Sequence, residues 1–269
     1  MSDIKYKILK AGYCFQNELH TIIKGRNKRT KFYAMAVLLE HPDLGYMLFD
    51  TGYSEEFYNA TKDFPYSIYA KITPVNIDNK SCVKTQLEEI GISPDEIKYV
   101  IISHFHADHI SGLKDFKKAK FLCLGNAYKS LENKTGFSAL IEGFLPDFLP
   151  ENFANRVEFI SNKKVCEKYK PFEEIYDIFN DGSILGVDLS GHANGQIGII
   201  VGDTFFVSDA CWYSKSYREN ILPPLWVRLL IGDNKKYIET LEKIHLFYKN
   251  NPDFKIIPSH CNEFWDKYV

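Results

Sequence analysis

Four side chains able to bind a metal ion lie within six residues of the chain. His104, His106, Asp108 and His109 follow the apolar run at residues 100–102. Because alternate residues of an extended segment point the same way, His104 and His106 would share one direction, and a following turn would bring Asp108 and His109 in from another. A lone histidine is usually a satisfied core residue, but this density of imidazole and carboxylate groups favours metal binding.

Three more potential ligands stand in the same kind of place. His192, Asp209 and His260 each come directly after an apolar run that predicts a strand. In an α/β fold the carboxyl ends of strands converge on one edge, so these residues could meet the first four there. Five histidines and two carboxylates suit two metal ions with open coordination positions better than one closed structural zinc site.

The elements that must position these residues are mixed strands and helices. β-branched and aromatic runs predict strands, and longer periodic segments predict helices. The predicted strands are residues 4–9, 32–39, 46–49, 99–102, 121–124, 184–189, 197–201, 205–207 and 255–257, and the predicted helices are residues 81–90 and 234–249. A capping box at residues 93–96 predicts a short helix before the strand at Tyr99. With no linker or repeat in the sequence, residues 1–269 are predicted to form one α/β domain.

Two segments interrupt this alternation of elements. Residues 53–78 contain six aromatic residues, and residues 212–233 contain the apolar run ILPPLWVRLLIG. Each begins just after a candidate site segment, so both are candidate insertions that form the walls or lid of a pocket. Ordinary core packing or a subunit interface is the alternative, because aromatic enrichment marks those as well.

Composition and charge exclude several classes of protein. The chain has 33 Lys plus Arg and 35 Asp plus Glu, a net charge of −2 over 269 residues, which argues against nucleic-acid binding through a basic surface. No apolar run approaches the roughly 18 residues that span a bilayer, and no signal-peptide core is visible, so membrane insertion and secretion are not expected. Six scattered cysteines without a CxxC pair are typical of free thiols in the cytoplasm. The sequence is compatible with either a monomer or a homodimer.

The ordered set of ligands resembles the metallo-β-lactamase superfamily. The motif HxHxDH is present as His104, His106, Asp108 and His109, followed by His192, Asp209 and His260, and residues 50–52 resemble the early Asp-Thr-Gly of that family. The resemblance covers essentially the whole chain. It implies an αββα sandwich, two mixed sheets packed face to face with helices outside and the metal site at one edge.

The resemblance also implies a role for each ligand. His104, His106 and His192 would bind a first metal ion, Asp108, His109 and His260 a second, and Asp209 would bridge them. Asp50 would orient the site, with a plain turn-forming role as the alternative. Imidazole and carboxylate ligands suit two divalent ions, foremost zinc, with iron, manganese or cobalt as alternatives.

The residues beside the ligands favour hydrolysis over redox chemistry. Cys211 and Cys261 adjoin ligand positions without occupying them, and Phe105 and Ala107 stand where flavin-linked di-iron relatives carry a glutamate. Two divalent ions about 3.5–4 Å apart would generate a bridging hydroxide and polarise the scissile carbonyl or phosphoryl oxygen. No side-chain nucleophile is then required.

Within the superfamily the chain most resembles N-acyl homoserine lactonases. In those enzymes a tyrosine three residues after the bridging aspartate binds the lactone, whereas Trp212 stands at that position here and Tyr213 follows it. Tyr213 is therefore a candidate catalytic residue, with Trp212 as the alternative. Asp108 of the HxHxDH motif is the other candidate catalytic residue. Ala193 and Asn194 also replace the Thr-Pro often found after the turn histidine.

The substrate is expected to be a small molecule with a hydrophobic group beside its scissile ester bond. Thioester or phosphodiester hydrolysis on the same fold is the alternative enzyme function. A glutathione thioesterase would carry a helical extension, but only nine residues follow His260, and an RNA-processing enzyme would add a basic arm. A binding or regulatory module with little turnover is the alternative outside enzymes, because ligand residues show a capable site and not turnover.

Overall fold

Two β-sheets form the centre of the computed structural model, which describes residues 4–268. The first sheet contains β1 (Lys5–Asn17), β2 (Arg29–His41), β3 (Gly45–Phe49), β4 (Val75–Asn76), β5 (Tyr99–Ile101), β6 (Lys120–Leu124) and β7 (Val157–Ile160). The second contains β8 (Lys163–Val165), β9 (Glu174–Asp177), β10 (Ile184–Asp188), β11 (Ile197–Val201), β12 (Thr204–Ser208) and β13 (Lys255–Pro258).

Both sheets are mixed in direction. The first has the order β4-β1-β2-β3-β5-β6-β7, antiparallel from β4 to β3 and parallel from β3 to β7. The second has the order β13-β12-β11-β10-β9-β8 and is antiparallel except where β12 pairs with β13. Because β3 and β5 are parallel, their carboxyl ends lie at the same edge of the first sheet. The carboxyl ends of β12 and β13 likewise lie at the same edge of the second sheet.

The sheets pack face to face through a shared apolar core. This core joins inward-facing side chains of the first sheet, including Met35, Val37 and Phe49, to those of the second, including Ile199 and Phe206. Alternation along each strand supplies these residues, because every second side chain points to the same face. The outer face of each sheet carries a further apolar cluster, covered by helices.

The helices are mostly short. They are α1 (Glu18–Thr21), α2 (Glu56–Ala60), α3 (Ser67–Ile72), α4 (Val83–Glu89), α5 (Ala107–Ile110), α6 (Gly125–Lys129), α7 (Gly136–Leu140), α8 (Phe153–Arg156), α9 (Ser214–Glu219), α10 (Leu225–Arg228), α11 (Asn234–Asn250) and α12 (Asn262–Tyr268). The longest, α11, begins at a cap in which Asp233 accepts hydrogen bonds from the backbone of Lys235 and Lys236, and it buries Leu241 and Ile244 against the second sheet. The arrangement confirms the predicted αββα sandwich.

All nine predicted strands and both predicted helices are present, with bounds that differ by a few residues except that β1 extends to Asn17. The capping box at residues 93–96 forms a single turn of 3₁₀ helix in which Ser93 and Glu96 cap each other. Four strands were not predicted: β4, β7, β8 and β9. The first has two residues, and β8 is exposed along its whole length at the edge of its sheet, so neither has the alternation that marks a half-buried strand.

No helix formed by residues 4–268 combines the length and the apolar content needed to cross a lipid bilayer.

Candidate metal centre

All seven predicted ligands converge at one edge of the sandwich. Each stands in a loop or a short helix just beyond the carboxyl end of a strand. His104 and His106 follow β5, Asp108 and His109 lie in α5, His192 follows β10, Asp209 follows β12 and His260 follows β13. Five of these seven residues are buried, and His106 and Asp108 are partly exposed. Sequence positions as far apart as 104 and 260 thus meet in one cluster.

The ligand atoms fall into two adjacent groups. His104, His106 and His192 form the first, and Asp108, His109, Asp209 and His260 form the second, with the ligand atoms in each group within 4.8 Å of one another. Asp209 also reaches the first group, because its Oδ2 lies 3.5 Å from Nε2 of His192. The carboxylate of Asp209 therefore lies between the groups, where a bridging ligand would stand.

Several of these ligand atoms are buried without a hydrogen-bond partner among the described residues. They are Nε2 of His104, Nε2 of His109 and Oδ1 of Asp209. A buried polar atom left without a partner is costly, and divalent cations bound to the two groups would satisfy these atoms. The donor set of imidazole and carboxylate groups therefore fits divalent metal ions.

Hydrogen bonds behind the cluster fix the orientation of the imidazoles. Nδ1 of His109 donates to Oδ2 of Asp50 at 2.7 Å, and Nδ1 of His260 donates to the carbonyl oxygen of Tyr33, also at 2.7 Å. Nδ1 of His104 lies 3.0 Å from the hydroxyl of Ser103. Each bond leaves Nε2 facing the cluster, which is the arrangement that carboxylate and carbonyl partners impose on metal-binding histidines.

Asp50 connects two of these partners. Its Oδ1 accepts a hydrogen bond from the backbone of Ser103 and its Oδ2 accepts one from the Ser103 hydroxyl, both at 2.7 Å. Asp50 is itself in the left-handed region, with φ of 59°, which costs a non-glycine residue free energy and is retained where surrounding contacts fix it. These contacts favour an orienting role for Asp50 over a role in the turn alone.

Three residues that contact the candidate ligands from behind were not predicted from the sequence. Ser103 and Ser208 bond to each other at 2.9 Å behind His104, and neither serine belongs to a recognisable motif. Gly143 has φ of +66°, and a Cβ on it would lie 2.7 Å from the ring of His106, so only glycine allows this approach. Ser103 could have been found by its place beside His104, whereas nothing in the sequence marks Gly143.

The electrostatics of the two groups differ. Burial and the neighbouring imidazoles lower the pKa of His104 well below its ordinary value, and burial lowers the pKa of His192 to about 3. In the second group burial also opposes charge on His260, but the carboxylates of Asp209 and Asp108 raise its pKa well above the ordinary value. Burial thus favours neutral imidazoles in the first group, whereas the carboxylates of the second group favour charged imidazoles on both His109 and His260.

Trp212, and not Tyr213, lies against the cluster. The indole Nε1 of Trp212 donates to Oδ2 of Asp209 at 3.1 Å, and its ring lies beside that of His192. The hydroxyl of Tyr213 is 3.0 Å from the hydroxyl of Thr21, and Tyr213 is not among the described residues that line the cavity next to the cluster. The Tyr213 hydroxyl thus bonds to a residue other than the ligands, and the catalytic role of Tyr213 stays a prediction.

A cavity of about 750 Å³ opens beside the ligands, with His106, Asp108, His192, Asp209 and His260 in its lining. Both segments that interrupted the predicted alternation of elements contribute to its walls. Residues 53–78 supply Tyr53, Ile68, Tyr69, Ile72 and Thr73, and residues 212–233 supply Trp212, Trp226, Val227, Leu230, Ile231 and Gly232. A third wall that the sequence did not indicate consists of Ser130, Leu131, Leu140, Ile141, Glu142 and Gly143.

The fold and this cluster define a metal-binding αββα protein, and comparison with known families agrees. Residues 29–246 match the model of the metallo-beta-lactamase superfamily. The matched region includes six of the seven candidate ligands and both segments that wall the cavity. The chain belongs to the metallo-β-lactamase superfamily.

Curated relatives include lactonases. The N-acyl homoserine lactonase AttM of Azorhizobium caulinodans is 25% identical over 231 residues, which are 83% of this chain and 82% of that protein. AttM of Rhizobium radiobacter is 22% identical over 279 aligned residues, covering 100% of this chain and 97% of that protein.

Solved structures of similar fold include an N-acyl homoserine lactone hydrolase with the product N-hexanoyl-L-homoserine at its catalytic metal centre. It superposes with a TM-score of 0.74 at 17% identity, covering 99% of this chain and 96% of that one. AidC, a dizinc quorum-quenching lactonase, superposes with a TM-score of 0.65 at 15% identity, covering 97% and 88%.

Proposed function

We propose that this protein is a metal-dependent hydrolase that opens lactones bearing a hydrophobic group. The observation that carries the proposal is the pair of adjacent ligand groups, with Asp209 between them, at the base of a cavity whose walls are largely apolar. The full-length similarity to N-acyl homoserine lactonases supports it. We further propose that residues 1–269 act as one cytoplasmic domain, monomeric or homodimeric, with residues 53–78 and 212–233 as its pocket segments.

Two divalent ions, zinc in our proposal, fit the seven ligands. His104, His106 and His192 would hold one ion, Asp108, His109 and His260 the other, and Asp209 both. When bound, such ions supply Lewis acidity and lower the pKa of water to near neutrality. Ser103, Asp50 and the carbonyl of Tyr33 hold the imidazoles in the required orientation before any ion arrives.

Asp108 is the carboxylate best placed to move a proton. It lines the cavity, its side chain is partly exposed, and its Oδ2 lies 3.2 Å from Nε2 of His260. Burial alone would raise its pKa, but the imidazoles of His109 and His260 hold the pKa of Asp108 at about 2. Ionised at neutral pH, Asp108 would accept a proton from the attacking water and pass it to the leaving oxygen.

Trp212 takes a positioning role in this proposal. Its indole N–H fixes Oδ2 of Asp209, the oxygen that also lies 3.2 Å from Nε2 of His260. An indole has one donor and no acceptor, so it can hold a carboxylate but cannot compete for a cation. The hydroxyl that lactonases place at this position is then missing, and bound metal ions would have to polarise the substrate.

The lining of the cavity favours a neutral ester over a phosphodiester. None of the described residues in the lining is a lysine or an arginine, the side chains that bind phosphate oxygens. The lining includes the apolar side chains of Ile68, Ile72, Leu140, Ile141, Trp226 and Leu230. Such walls fit a hydrophobic group on the substrate.

A substrate panel tests the proposed function. The metal-loaded protein is assayed on lactones of several chain lengths, aryl esters, thioesters and phosphodiesters, beside His106→Ala and the control His245→Ala. His245 lies on α11 and bonds to the carbonyl of Tyr217, so its loss leaves the ligands intact. We expect lactones to be the best substrates and only His106→Ala to abolish turnover. Preference for another bond type, or no turnover on any compound, would refute the proposal.

A further inference from the structure

One surface of the molecule is apolar without contributing to the cavity. Leu225, the first residue of α10, and Leu229, which directly follows the helix, are 56% and 67% exposed, and Leu19 and Ile23 of the neighbouring α1 region are 43% and 41% exposed. None of the four lines the cavity, so a substrate bound beside the ligands does not account for them. We call these four residues the α1–α10 face.

The two parts of the face are joined rigidly. The backbone N–H of Ile23 donates to the carbonyl of Leu222 at 3.0 Å, and the rings of His20 and Trp226 meet edge to face at 5.1 Å. Arg228 is buried under α10, where its Nε donates to the carbonyl of Pro223 at 3.0 Å. Arg228 is therefore on the buried side of this helix, opposite in exposure to Leu225 and Leu229.

A strongly basic segment adjoins the face. Residues 24–31, KGRNKRTK, run from the loop after α1 into the start of β2 and contain five cations and no acid, although the whole chain has a net charge of −2. Lys24, Arg26 and Lys28 are exposed, and among the described side chains of residues 4–265 no carboxylate lies within 4.0 Å of their charged groups. The segment begins directly after Ile23, so cations border the apolar side chains.

We propose that the α1–α10 face and the basic segment at residues 24–31 dock the protein on an anionic lipid surface. Apolar side chains beside lysine and arginine are the combination that binds the interface of a bilayer. The apolar side chains of the protein enter the headgroup region, and its cations contact lipid phosphates. Binding is peripheral and needs no spanning helix. It also does not depend on the proposed hydrolase activity.

The α1–α10 face lies next to residues that line the cavity. Trp226 and Leu230 line the cavity and are themselves 52% and 72% exposed, on the same short helix region as Leu225 and Leu229. A docked molecule would therefore hold the opening of its cavity beside the lipid. Hydrophobic compounds dissolved in the bilayer would reach the cavity without crossing water.

Vesicle flotation tests docking without any assay of activity. The protein is mixed with vesicles of phosphatidylcholine alone or with phosphatidylglycerol at three parts in ten, at low and high salt. We expect binding to the anionic vesicles only, weakened by high salt because screening acts on exposed charges. The double variant Leu225→Ser, Leu229→Ser should lower the partition coefficient about tenfold. Reversal of Lys24, Arg26 and Lys28 to glutamate should lower it on the order of 100-fold.

Matched variants on α11 serve as controls. Leu246→Ser removes an equally exposed leucine, and Lys243→Glu with Lys249→Glu reverses exposed charges, all outside the face. These should bind like the unaltered protein. Absence of binding to anionic vesicles at low salt, or equal losses in the controls, would overturn the proposal. Sedimentation that shows a dimer broken by Leu225→Ser, Leu229→Ser would also overturn it and assign the face to a second copy of the chain.

Discussion

The ligand edge and the cavity walls of this protein are built in opposite ways. His104 and His109 are fully buried, and each is held from behind by a hydrogen bond to a residue that is itself buried. Ile72 and Ile141, in the walls, are 74% and 78% exposed on short helices or their ends. Buried, multiply bonded groups tolerate little change, whereas exposed loop residues can vary at small cost in stability. The chemistry is therefore fixed by the ligand edge, and the choice of substrate is left to the walls.

The largest effect should come from Asp209, the residue between the two ligand groups. Asp209→Ala removes the one carboxylate that reaches both groups, so metal content should fall from near two ions to one or fewer, and kcat/KM should fall about 1000-fold. Elemental analysis and kinetics measure the two losses. Retention of two tightly held ions in Asp209→Ala would contradict a bridging role.

The two groups should differ in the protons they release on binding metal. His109 and His260 both have raised pKa values before metal binds, so a cation must displace their protons, and the affinity of the second group should rise with pH by at least about tenfold per unit until the raised pKa values are reached. The pKa of His192 is lowered to about 3, so its imidazole is already neutral and contributes no such dependence. Calorimetry in buffers of different ionisation enthalpy counts the protons. Equal proton release on binding of the first and second ion would erase the distinction.

The hydrogen bond between Asp50 and His109 should matter more for metal affinity than the similar bond between Asp181 and His41. Asp50→Asn weakens the carboxylate that orients His109, and metal affinity or activity should fall about 10-fold to 100-fold. Asp181→Asn is the matched control, because Asp181 holds the buried His41 at 2.8 Å in the same manner but outside the site. Competition with a chromogenic chelator measures affinity for both. Similar losses in the two variants would show general destabilisation rather than orientation of the metal site.

Trp212 should tune the metal centre to a smaller extent. Trp212→Phe keeps an aromatic ring but removes the indole N–H that donates to Asp209. The affinity for the second ion should therefore fall about tenfold, and the visible spectrum of the cobalt-bound protein should change. Tyr213→Phe is the control, because its hydroxyl bonds to Thr21 away from the ligands, and it should change kcat/KM by less than about twofold. A large loss in Tyr213→Phe with none in Trp212→Phe would restore the tyrosine as the catalytic residue.

The smallest effect is expected in the walls and should fall on specificity alone. Trp226→Ala should weaken the preference for long-chain over short-chain acyl substrates by about 1–3 kcal/mol, toward the lower end because Trp226 is half exposed. Metal content should not change. A chain-length series on both proteins gives the result. Parallel profiles would show that this side chain packs against α1 or a partner and does not contact substrate.

Local sequence was enough to predict the main strands and the residues that cluster at the candidate metal centre. The strand before His104 has a buried apolar pattern, and the ligands after it are dense enough to be recognised without knowledge of the fold. The short edge strand β8 was not predictable, because a strand exposed along its length has no periodic pattern. Gly143 was not predictable either, because its requirement arises from contact with His106, 37 positions earlier in the chain.

By itself, the sequence determined the donor atoms: residues 104–109 place three imidazoles and a carboxylate in one short segment, and residue type alone limits what they can bind. Only the tertiary structure decided how those atoms are divided, which nitrogen of each histidine faces inward, and that Trp212 rather than Tyr213 meets Asp209. It also brought residues 130–143 to the cavity as a third wall. The physical reason is that ligand chemistry belongs to single side chains, whereas orientation and cavity shape arise from contacts between segments far apart in the chain.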